Sequence, residues 1–98
     1  METITEAFLL LRANGAVSGG RDFSQAWLGR SASYLSSMMA RPASRRPSTG
    51  VLMTLYVRLR EYIEEAGMTE DVRPTWEEMA ERIWGAAMDR INRNGYLT

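Results

Sequence analysis

The sequence contains no cysteine and no histidine. Without thiols there is no disulfide, no thiolate nucleophile and no zinc site of the Cys/His kind. Without imidazole the usual general base near neutral pH is missing. Lysine is absent as well, so all twelve basic residues are arginine. That bias reads either as GC-rich coding or as a preference for bidentate contact with phosphate and guanine, and composition does not choose between the two. Long apolar runs are also lacking, and none approaches the roughly 20 residues that span a bilayer, so no membrane partner is expected. Glu2 and Glu6 stand where the basic and apolar parts of a secretory leader would be, so no leader is expected. The missing cysteine fits a cytoplasmic location.

What is present is a chain of 98 residues, 45% of them hydrophobic, the balance of a folded globular protein rather than a disordered one. A chain this short buries only roughly 60–70% of its surface on folding, so contact with a partner subunit would add to its stability. The net charge of zero hides an asymmetry. Residues 1–60 carry eight arginines against Glu2, Glu6 and Asp22, whereas residues 61–98 carry four arginines against nine carboxylates. A basic front and an acidic tail suit either opposite tasks or ordinary solvated surfaces.

The pattern predicts five helices and no strand. Thr3 and Glu6 have capping-box spacing, so a first helix is expected from Thr3. Its face is Ile4, Ala7, Phe8 and Leu11, and Asn14-Gly15 supplies a stop. A short second helix is expected from an Asp22 cap to Gly29, with Ala26, Trp27 and Leu28 on its apolar side. Only Arg30 and Ser31 then precede a third helix, so the two should cross steeply through a tight turn. The third helix is expected from Ser31 to Ala40, with Leu35, Met38 and Met39 buried and Ser33, Ser37 and Arg41 facing away from them, Tyr34 and Ser36 at the edges of that face. A loop over residues 41–48 leads to a fourth helix capped by Ser48, with Leu52, Leu55, Tyr56, Leu59, Tyr62 and Ile63 in its stripe and Gly67 at its end. A fifth helix is expected from a Thr75/Glu78 capping box. Its apolar residues span about half its circumference, more than docking on one surface requires.

The third helix carries the functional signal. A helix that reads the major groove must expose short side chains and be held by a second helix behind it. Ser33 and Ser37 offer small hydroxyls, and Arg41 reaches toward phosphate or guanine. N–H groups near Ser31 and Ala32 are candidates to hold a phosphate. Arg30 lies before the helix and Arg45 and Arg46 after it, where phosphate contacts fix register. Tyr34 either stacks on sugar or thymine methyl or covers the turn.

The stretch Phe23-Ser24-Gln25-Ala26-Trp27-Leu28-Gly29-Arg30-Ser31-Ala32-Ser33-Tyr34-Leu35-Ser36 resembles the helix-turn-helix of bacterial and phage regulators of the lambda-repressor/Cro (XRE-like) family. Arg46-Pro47-Ser48, followed by Leu52, Leu55 and Leu59, is similar to that family's approach to its fourth helix. The pattern also resembles compact bacterial proteins of uncharacterised function. The resemblance covers residues 4–65 and departs in three places: the turn at Leu28-Gly29-Arg30-Ser31 is shorter than the family's usual Leu-Ala-x-x-x-Gly-Val-Ser, the glycine-rich loop between the first two helices is longer, and Ser33 and Tyr34 stand where the family often has a glutamine at the start of its recognition helix.

The resemblance implies an all-α, five-helix, lambda-repressor-like helix-turn-helix domain over residues 1–66, with residues 67–98 as a C-terminal amphipathic extension. It implies a sequence-specific regulator of transcription whose partner is double-stranded DNA, reached through Arg30, Ser31, Ser33, Tyr34, Ser37, Arg41, Arg45 and Arg46. A homodimer is expected through Trp76, Met79, Ile83, Trp84, Ala87, Met88 and Ile91. The alternative is an interaction module (an antiactivator, an antitoxin or a phage inhibitor) that binds a regulatory protein through the same C-terminal helix. No enzyme, cofactor or metal is expected. Glu64, Glu65, Glu77, Glu78 and Glu81 alternate with arginines as helix-surface pairs do.

Overall fold

The computed structural model describes residues 2–40 and 47–93, and every regular element among them is helical. The chain divides into two units, Met1–Pro47 and Ser48–Thr98. The fourth helix, grouped with residues 1–66 in the sequence reading, lies in the second of these units. That helix packs on the fifth within the second unit.

In the first unit, α1 spans Glu2–Ala13 and buries Ile4, Ala7, Phe8 and Leu11, the face its periodicity predicts. Its end is a Schellman motif. Ala16 N–H donates to Leu11 O (2.9 Å), Gly15 N–H donates to Arg12 O (3.0 Å), and Gly15 takes φ +74°, which a side chain would resist. Val17 is buried beyond it.

The second helix starts earlier than its capping pattern suggests. α2 covers Gly20–Asp22 and runs directly into a π-helical segment, Phe23–Trp27. Asp22 is thus inside the helix, and its carboxylate reaches back to accept from Ser18 N–H at 3.0 Å. The π turn closes through Leu28 N–H to Phe23 O, 3.2 Å. On an α-helix residues five apart stand about 140° apart. The wider turn brings Phe23 and Leu28 toward one face, and both are buried. Phe23 meets Phe8 of α1 with ring centroids 5.3 Å apart. Gly29, at φ +66°, ends the segment, and Arg30 N–H donates to Ser24 O at 2.9 Å.

α3 spans Tyr34–Ala40, beginning three residues later than expected. Residues 28–33 form the connection, so the two-residue turn read from the sequence is too short. Leu35 and Met38 are buried, as predicted. Met39 is not: it is 50% exposed.

In the second unit, α4 spans Thr49–Ala66 and buries Val51, Leu52, Leu55, Leu59 and Ile63. Ser48 caps it as predicted, accepting from Val51 N–H at 3.2 Å. Ser48→Ala is expected to cost about 1 kcal/mol in urea denaturation; an unchanged midpoint would mean that the cap adds nothing. Gly67, at φ +60°, closes the helix.

α5 spans Arg73–Arg93. Its start precedes the Thr75/Glu78 box, since Pro74 fits the first turn of a helix, where no N–H partner is needed. Thr69 donates its hydroxyl to Asp71, which holds the Asp71 carboxyl below its ordinary pKa. Arg73 then ties the two helices together, pairing with Glu64 at 3.0 Å and Glu77 at 3.3 Å. Trp76, Met79, Ala80, Ile83 and Ala87 are buried. Tyr62 and Trp76 rings meet at 5.4 Å, and Tyr56 and Trp84 rings at 5.1 Å. Among the described residues no helix is long and apolar enough to cross a membrane.

Candidate nucleic-acid interface

The candidate interface is built on one buried hydroxyl. Ser24 is fully buried, the only buried polar side chain among the described residues. Its Oγ donates to Gly20 O at 2.7 Å and accepts from Leu35 N–H at 3.1 Å. The first turn of a helix leaves N–H groups without intrahelical partners. Here one of them is satisfied from the preceding helical segment rather than by a local cap. The start of α3 is thereby pinned to the π segment by a hydrogen bond, and Leu35 and Met38 add apolar packing beneath it. Sequence reading assigns Ser24 no role. The available signal is its place beside Phe23 and four residues after Gly20, the spacing at which a serine hydroxyl reaches a helical carbonyl.

The outward side of α3 and its approach carry small polar residues together with the exposed Met39. Ser31, Ser33 and Ser36 are exposed, and Ser37 and Tyr34 are half-buried. The exposed side is therefore centred on Ser33 and Ser36, and Ser37 falls at its edge. Ser36 Oγ donates to Ser33 O at 3.1 Å, and the Ser31 and Ser33 hydroxyls lie 3.5 Å apart. Since α3 begins at Tyr34, the N–H groups of Ser31 and Ala32 belong to the connection and not to a helix start. A phosphate there would meet N–H groups of a loop rather than the end of a helix.

Arg30 is exposed in the connection, and Arg12 and Arg21 are exposed elsewhere in the same unit. Arg41, Arg45 and Arg46 lie outside the described residues. The carboxylate of Asp22 is held by Ser18 N–H. From Phe23 through Arg60 the chain has six arginines and no Asp or Glu.

The residues expected to form a dimer face divide in two. Trp76, Met79, Ile83 and Ala87 are buried within the single chain, so the broad apolar face of α5 is largely consumed by the protein's own core. Trp84 remains 42% exposed, and Met88 and Ile91 are half-buried. Among the described residues no group of three carboxylates is placed to hold a metal ion.

No curated protein and no solved structure matches the chain. One family model matches residues 4–94, and through it the chain belongs to DUF6626, a family of unknown function.

Proposed function

We propose that the chain is a helix-turn-helix protein that binds double-stranded DNA and regulates transcription, with α3 entering the major groove. The observation that carries this reading is the brace at Ser24. A short helix that exposes Ser36, with Ser33 exposed just before it, is fixed by a buried hydrogen bond to the preceding segment. A reading helix needs such support, because base contacts depend on its position to within a fraction of an ångström. The sequence around it carries arginines and no carboxylate from Phe23 through Arg60, which suits a polyanion. Arg30 is the described phosphate-contact candidate, and Arg41, Arg45 and Arg46 carry the same chemistry by sequence. In a symmetric dimer two copies of α3 would read half-sites about 34–36 Å apart.

The test is fluorescence anisotropy with a labelled duplex at two salt concentrations. Binding should weaken as salt rises, and Arg45→Ala should lower the slope of log K against log salt by about one. Arg41→Ala should weaken binding as well. Absence of binding at low salt overturns the reading.

A second reading is favoured by Trp84, which stays 42% exposed on α5. Large aromatics of this kind anchor protein interfaces. In that case the chain binds a regulatory protein through α5, and the low-salt anisotropy experiment gives no DNA signal.

A further inference from the structure

Within the first unit, α1, α2 and α3 surround a depression of about 280 Å³. Phe8 and Leu35, both buried, form its base, and Ala32 and the half-exposed Met39 form its apolar sides. Arg21 stands at the margin, exposed, and forms no ion pair with any described residue. Among the described residues Ser36 is the other polar side chain there, and no carboxylate lines the space. Gly20 keeps the opening wide: a Cβ at that position would already touch Leu35 Cδ2 at 3.4 Å, and a longer side chain would extend into the space.

The geometry points to a binding site for a small apolar monocarboxylate, an aryl or short alkyl acid. The volume is near the lower limit of about 300 Å³ for small-molecule sites, so the ligand is compact. The apolar base favours burial of a hydrocarbon body. A guanidinium with no counter-ion among the described residues fits one carboxylate through two parallel hydrogen bonds. A cationic ligand would meet like charge. A phosphate dianion would have to give up its hydration for an apolar floor and a single cation, which is unfavourable. Because α3 forms one wall, an occupant would bias the position of that helix. This consequence rests on the DNA-binding reading, whereas the site itself does not.

The experiment is amide chemical-shift titration of the intact chain with three probes that share one body: phenylacetate, phenethylamine and 2-phenylethanol. Phenylacetate is expected to saturate, with shifts at Phe8, Gly20, Ala32, Leu35 and Met39, and to bind at least about tenfold more tightly than the other two. Arg21→Met, which keeps an apolar stem, should abolish that preference while leaving weak binding of the alcohol. Gly20→Leu should block all three. Equal affinity for acid and amine, an Arg21→Met variant that keeps its preference, or no saturation by phenylacetate would each overturn the proposal. None of these outcomes depends on DNA, so failure here and failure of the DNA-binding reading are told apart.

Discussion

Trp76→Ala is expected to cost about 3–5 kcal/mol in urea denaturation, the range for removing a large aromatic from a core. Trp84→Ala is expected to cost no more than about 1–2 kcal/mol. The two tryptophans stand eight residues apart on the same helix and each meets a tyrosine of α4, Tyr62 and Tyr56 respectively. What separates them is burial: Trp76 is 4% exposed and Trp84 42%. Truncating Trp76 leaves a void beneath Tyr62, whereas truncating Trp84 removes one ring contact, worth about 0.5–1.5 kcal/mol, from a half-wet surface. The loss at Trp76 is a large share of the total, since a domain of this size is stable by about 5–15 kcal/mol. Equal costs at the two positions would contradict the orientation of α5. A Trp84→Ala variant that is the more damaged of the two would reverse it.

The parts of the fold that the sequence discloses are those set by local rules. The stripes of α1 and α4 follow a 3.6-residue period over long helices, and both helices end where glycine takes a positive φ, at Gly15 and Gly67. Ser48 caps α4 because its backbone is extended and its hydroxyl reaches Val51 N–H. The same local logic fails at Asp22 and Thr75. Capping spacing identifies residues able to cap, but the helix begins wherever the backbone first turns, here at Gly20 and Arg73. Asp22 then does a related task from inside the helix, accepting from Ser18 N–H.

Tertiary choices are less legible. Leu35, Met38 and Met39 all look apolar in a short window, yet packing admits only the first two. The wide apolar face of α5 suggests a partner outside the chain, but Trp76, Met79, Ile83 and Ala87 are buried within it. Hydropathy reports the need for burial and not the identity of what buries. The π turn at Phe23–Trp27 has no local marker, because it meets a requirement set elsewhere: Phe23 and Leu28 must both face inward and Phe23 must reach Phe8. The candidate site shows the same division. Its serines and arginines are visible as residue types, while the brace at Ser24 depends on a hydrogen bond between residues eleven apart.

Ser24→Ala is therefore expected to be the most informative substitution in the first unit. It removes the acceptor of Leu35 N–H and the donor to Gly20 O at a site with no exposure to water. A buried N–H without a partner costs about 1–3 kcal/mol, and alanine introduces no steric conflict that would obscure the effect. The loss should be local before it is global. Hydrogen exchange at the Leu35 amide should accelerate by more than exchange in α4, because the freed N–H belongs to the start of α3. Ser36→Ala is the control: Ser36 is exposed and its hydroxyl donates to Ser33 O in the preceding turn, so its effect should stay within about 0.5 kcal/mol. If α3 reads DNA, Ser24→Ala also weakens binding under conditions where the chain is still folded, since the helix must first be re-fixed against its support. Exchange at Leu35 that is unchanged in Ser24→Ala would show that apolar packing alone holds α3 in place, and the reading of Ser24 as its anchor would fail.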